Sequence, residues 1–166
     1  TKTAVTGGYN CSYIPETALT DGSHTIRFDA SDYDGNAATQ KSVTFKIDTV
    51  PPTLSVASPS DGYVTNKSTI TVAGTTNDAT SSPVTVMING TPVTVGSNGA
   101  FSTTVTLSAG SNTITIVAKD SAGKTTTITR TVKYDPNPPK ITAASVTPNP
   151  VDAGKTYVIS VTVTDE

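Results

Sequence analysis

Residues 107–135, LSAGSNTITIVAKDSAGKTTTITRTVKYD, decide the fold. Ile114, Ile116 and Ala118 alternate with polar residues, giving one apolar and one polar face, the period-two pattern of a half-buried strand. At Asp120-Ser-Ala-Gly123-Lys124 the chain turns, because aspartate accepts bonds from nearby backbone and glycine takes a positive φ without penalty. Thr127 to Tyr134 returns, with Val132 and Tyr134 on the inward parity. The stretch predicts a hairpin running from a sheet edge into a core.

The same hairpin is written once before. In residues 19–48, LTDGSHTIRFDASDYDGNAATQKSVTFKID, Leu19 aligns with Leu107, Gly22 with Gly110 and Ile26 with Ile114. Ala30, Asp32 and Gly35 likewise align with Ala118, Asp120 and Gly123, each pair about 88 residues apart. Beyond the turn the spacing shortens to about 87, pairing Asp48 with Asp135 and Pro51-Pro52 with Pro138-Pro139. Such a period is too long for a solenoid repeat and suits one small β-sandwich.

Composition points the same way. Threonine makes up about a fifth of the 166 residues and Trp is absent, which favours pleated strands with a wettable outer face. No ten-residue segment carries apolar residues at helical spacing. A net charge of −2 with few charged residues argues against nucleic acid, which needs a basic face, and no apolar run is long enough to span a membrane as a helix. Cys11 is the single cysteine, so no internal disulfide is available. It is expected to be a buried small hydrophobe, with an intermolecular bridge as the alternative.

Two proline-rich joints, DTVPP (48–52) and DPNPP (135–139), divide the chain. The expected fold is all-β: tandem immunoglobulin-like β-sandwich domains, one complete and two partial. Residues 1–49 would be the C-terminal half of one domain, with two or three strands after a loose start. Residues 50–136 would be a complete sandwich and 137–166 the first strands of another. Within 50–136 the expected strands are Thr53–Val56, Ser68–Thr76, Val84–Ile88, Val93–Val95 and Phe101–Leu107, followed by the hairpin. Asn89-Gly90 is a strong type I′ turn signal.

The middle segment resembles the bacterial Ig-like domains of the glucodextranase domain B type. The resemblance rests on MINGTPVTV, GSNGAFSTTVTLSAGSNTITIVAKDSAG and the closing TVKYD. Asn89, Gly90, Gly99, Phe101, Ser102, Leu107, Gly110, Asn112, Ile114, Asp120 and Gly123 stand at the matching places. Residues 1–49 resemble the end of a related bacterial Ig-like domain. Lys124 departs from the usual Asn of the turn, and His24 stands where Asn112 stands in the second copy. The resemblance implies accessory or spacer domains of secreted and surface proteins, without catalytic residues.

No nucleophile–base pair, metal-ligand cluster, phosphate loop or paired carboxylates can be picked out, so an enzyme is not expected. No cofactor is expected either, calcium being the one candidate. Asp32 and Asp34 crowd the first hairpin, FDASDYDGN, but Ala30 stands where a calcium loop needs a ligand. Asp48 and Asp135, with Asn137, lie at joints that proline already stiffens. Lone His24 lacks ligating companions. Tyr33, flanked by Asp32 and Asp34, is the candidate contact for a sugar ring.

The expected role is a structural or spacer module of a bacterial extracellular or cell-surface protein. Its partners would be neighbouring Ig-like domains or identical subunits, with head-to-tail strand complementation into a filament as one arrangement. The alternative is a carbohydrate- or receptor-binding accessory module of a secreted hydrolase or adhesin, engaging a glycan or surface receptor through Tyr33.

Overall fold

A computed structural model describes residues 1–6, 8–147, 149–150 and 152–165. The described residues form strands and connections and no helix. In chain order the strands are β1 (Lys2–Val5), β2 (Gly8–Cys11), β3 (Gly22–Phe28), β4 (Lys41–Ile47) and β5 (Thr53–Ser58). Next come β6 (Tyr63–Thr65), β7 (Thr69–Asn77), β8 (Thr85–Ile88), β9 (Thr91–Val93) and β10 (Ala100–Thr106). β11 (Gly110–Lys119), β12 (Thr125–Tyr134), β13 (Lys140–Thr147) and β14 (Val158–Thr164) complete the series.

Strands β5 to β12 make two sheets, a three-stranded β10-β7-β5 and a five-stranded β6-β12-β11-β8-β9. Each gives one face to a shared core of Val72 and Phe101 from the first sheet and Val86, Ile88, Ile114, Ile116, Ala118 and Val132 from the second. Leu107, in the connection between β10 and β11, joins them. Each of the strand residues has the inward parity its strand's alternation dictates. Packing is closest at Gly74, where a Cβ would run into the Ser55 carbonyl oxygen and the ring of Phe101. At the β8–β9 turn Asn89 (φ 49°) and Gly90 (φ 80°) both take the positive φ of a type I′ hairpin.

The deciding hairpin is β11–β12, in register from Gly110 opposite Tyr134 to Lys119 opposite Thr125. Its expected edge position is corrected. β11 lies between β12 and β8, and β12 is flanked by β6. Three-residue β6 pairs parallel to β12, fixed by Asp61, whose Oδ1 accepts the Thr131 N–H at 2.7 Å.

The earlier copy, β3–β4, pairs Gly22 with Ile47 through Phe28 with Lys41. Its apolar face is open: Ile26 is 43% exposed, whereas its counterpart Ile114 is 0% exposed. The loose start expected at the N-terminus is instead a two-stranded hairpin, β1–β2. Cys11 at its end is exposed, not buried, because β1 and β2 form a separate two-stranded sheet. The antiparallel pair β13–β14 is likewise solvent-facing. The expected turn TPNPVDAGK includes positions 148 and 151, which lie outside the described residues.

Candidate functional site

Three aspartates from separate parts of the chain meet at the first joint. Asp48 follows β4, Asp78 follows β7 and Asp120 follows β11, and one ligand oxygen from each lies within 4.8 Å of the others. Strands β7 and β11 belong to opposite sheets and end at the same rim of the sandwich. The chain crosses that rim as it arrives from β4.

Each carboxylate is held through one oxygen by backbone N–H groups. Asp48 Oδ1 accepts Val50 N at 3.1 Å, and Asp120 Oδ1 accepts Lys124 N at 2.8 Å. Asp78 Oδ1 accepts both Thr80 N at 2.8 Å and Ser81 N at 2.7 Å. These Asx-type turns follow from aspartate leading a reversal. They also leave the second oxygens over. Oδ2 of Asp48 and Oδ2 of Asp120 are buried and accept no hydrogen bond from the described residues, although Asp120 is only 4% exposed.

Among the described residues the one salt bridge is Lys133–Asp135, at 3.3 Å. Lys46, the nearest lysine in sequence to Asp48, donates instead across the joint to the Thr80 carbonyl at 3.3 Å. The joint is also tied by Asp21, which accepts Thr49 N at 3.0 Å and Thr49 Oγ1 at 2.9 Å, and by Thr126 Oγ1, which donates to the Pro52 carbonyl at 2.5 Å.

Of the residues singled out from sequence as candidate ligands or contacts, only Asp48 joins this cluster. Asp32 stays within its own turn, where Asn36 donates its side chain to Oδ2 (2.7 Å) and its backbone N–H to Oδ1 (2.8 Å). Those bonds, the side-chain one foremost, lower the Asp32 pKa below the ordinary 3.8. Asp34 and Tyr33 project into solvent at the hairpin tip, and Tyr33 is fully exposed. Asp135 is occupied by Lys133 and by Asn137 N at 3.2 Å. His24 Nε2 donates to Thr20 O at 2.7 Å, spanning the same four residues as the Asn112 Nδ2 bond to Ser108 O at 2.8 Å. The replacement of Asn by His thus keeps a local structural bond. Asp78 and Asp120 escaped the sequence reading as ligands because each reads as an ordinary turn residue, and only the fold brings them beside Asp48.

Two sheets closed on one apolar core, joined through prolines to a second copy of the same hairpin, define a tandem Ig-like β-sandwich of the bacterial kind. Residues 52–135 match the family model for glucodextranase, domain B, and residues 1–49 match that for a bacterial Ig-like domain. The chain belongs to the glucodextranase domain B family, with a bacterial Ig-like segment before the matched domain.

Among solved structures, it is similar to the Clostridium thermocellum CbhA fibronectin(III)-like modules, with 19% identity, 72% of this chain and 65% of that chain covered, and a TM-score of 0.42. It is also similar to a tetra-tandem repeat in the extending region of a large adhesion protein, with 22% identity, 94% and 49% coverage and a TM-score of 0.46. The chain therefore spans 65% and 49% of the length of these two. No curated protein matches it.

Proposed function

We propose that the chain is a non-catalytic spacer of a bacterial extracellular or cell-surface protein, built of segments 1–49, 50–136 and 137–166. One observation carries this reading: the chain enters and leaves the central sandwich at opposite ends of β12. Pro52 is bonded to Thr126 at the start of that strand, and Asp135, at its end, donates its N–H to Thr65 O at 2.8 Å. Ten residues at about 3.3 Å each separate the two points by roughly 30 Å, so successive modules extend end to end rather than folding back. Small-angle scattering on arrays of one, two and three modules tests this. The longest dimension should grow by about 30–40 Å per module, in line with strand length plus a short joint. A constant dimension would refute it.

The exposed apolar residues of β3–β4 (Ile26, Phe28, Val43) and of β13–β14 (Ile141, Ile159, Val161) favour a second arrangement. In it, copies complete each other's sheets head to tail. Sedimentation across a concentration series separates the two: polymers lost on deleting residues 140–166 support complementation, and a monomer at all concentrations excludes it. For the accessory-binding alternative the probe is a glycan array, where binding would have to disappear in Tyr33→Ala. Tyr33 standing free of any neighbouring wall argues against that reading.

A further inference from the structure

We propose that Arg130 keeps the bare edge of β12 from pairing with the same edge of another copy of this chain. Asp120 N donates to Lys124 O at 3.1 Å, so the even-numbered residues of β12 bond to β11 and the odd-numbered ones face outward. Two of the outward residues are taken by the β6 segment: Gly62 N donates to Thr131 O and Asp135 N to Thr65 O, both at 2.8 Å. β6 pairs only with Val132–Tyr134, so Thr125, Thr127 and Thr129 have no strand beside them among the described residues. Such an edge is a template for a further strand.

The remaining terminal strands are blunted by other means. β6 and β9 have three residues each, and β9 carries Pro92. A register shift between Val56 and Ser58 interrupts β5, and Val95 bridges to Phe101 on the outer side of β10.

On β12 the device is a side chain. Arg130 has the inward parity of Ile128 and Val132 and stands opposite Ile114, which is fully buried. An apolar residue suits that place, and in the first copy it is Val43. Arg130 Nε is buried and meets no acceptor among the described residues, a cost that valine would not carry. Its Nη1 lies 3.5 Å from Thr129 O, one of the outward acceptors. The guanidinium thus contributes little to the sandwich and sits against the bare edge.

Charge explains its effect there. Two copies pairing antiparallel about Thr127 would engage every bare residue, with Thr125 opposite Thr129. The same register sets Lys124 of each copy opposite Arg130 of the other, on one face of the sheet. Like charges directly opposite weaken a strand pair, and the added strand would desolvate the guanidinium further. With valine at 130 that opposition is gone. In an array, similar modules meet at high effective concentration, where mispairing is a hazard. That benefit rests on the spacer reading, whereas the edge chemistry does not.

Amide hydrogen exchange on the whole chain tests the proposal in Arg130→Val and in Arg130→Lys, which keeps the charge. In the native chain and in Arg130→Lys, the Thr127 and Thr129 amides should exchange at a rate independent of protein concentration. In Arg130→Val they should slow at least about fivefold over a concentration series, as the edge passes from bare to paired. Deleting residues 140–166 should leave that slowing intact, which separates it from head-to-tail complementation. Thermal melting should place Arg130→Val no lower than the native chain. An Arg130→Val chain that melts lower and stays unpaired would make Arg130 a packing residue and overturn the proposal, as would Arg130→Lys pairing like Arg130→Val. None of these readouts depends on the growth in length that tests the spacer reading.

Discussion

Asp32 and Asp120 occupy the same point of two copies of one hairpin, yet only Asp32 has both carboxylate oxygens engaged. Asn36 supplies donors to both, whereas at Asp120 the residue in that place is Lys124, whose backbone N–H alone donates. One side chain at the end of a turn thus decides whether an aspartate is closed on itself or presents an oxygen to its neighbours.

The Asp32 turn predicts a pH response with a definite sign. Its carboxyl is depressed below 3.8 in the folded chain, so the stability it contributes is complete above that value and is lost as pH falls through the lower folded pKa. Carbon-detected titration of Asp32 should place its midpoint below the ordinary aspartate range. Asn36→Ala should move it upward, since the leading cause of the depression is the Asn36 side chain. An unmoved midpoint would rule out that cause.

Phe101→Ala is expected to destabilise the central sandwich by about 3–5 kcal/mol, the usual range for a buried ring truncated to methyl. Phe101 is 3% exposed and packs from β10 onto Gly74 of β7. Urea unfolding of residues 50–136 measures it. A change under about 1 kcal/mol would mean that the ring does not anchor the core.

Gly74→Ala tests the same contact from the other side. The added methyl meets a backbone carbonyl, Ser55 O, as well as the Phe101 ring, so a rotamer change alone cannot make room. Overpacking of this kind costs about 1–3 kcal/mol. A neutral substitution, read from the same unfolding curves, would show that β5 and β7 can part locally.

The β11–β12 hairpin was legible because its alternation is regular over many residues and its turn chemistry is unambiguous. Ile114, Ile116, Ala118 and Val132 are all fully buried. β6 was not legible: Tyr-Val-Thr carries no pattern, and the strand is held on the outer edge of β12, where Asp61 binds Thr131 N. The β1–β2 hairpin was missed for the same reason, four-residue strands being too short to show a period. The acid cluster was hidden differently. Each aspartate has a sufficient local explanation as a turn former, and their meeting depends on β7 and β11 ending at one rim while the preceding segment crosses it. Local chemistry is read from neighbours in sequence, and convergence of this kind needs the fold.

Lys124→Asn joins these threads, because it gives the second hairpin the residue that the first already has. In the first copy Asn36 Nδ2 donates to Asp32 Oδ2 at 2.7 Å; an Asn at 124 in the same geometry reaches Asp120 Oδ2, which accepts no bond from the described residues. Satisfying a buried acceptor should raise stability by about 0.5–1.5 kcal/mol, the net worth of one hydrogen bond. Lys124 is exposed, so little packing is lost in exchange. Thermal melts of the variant and the native chain decide it, and a variant that is no more stable would show that the new side chain does not reach Asp120 Oδ2.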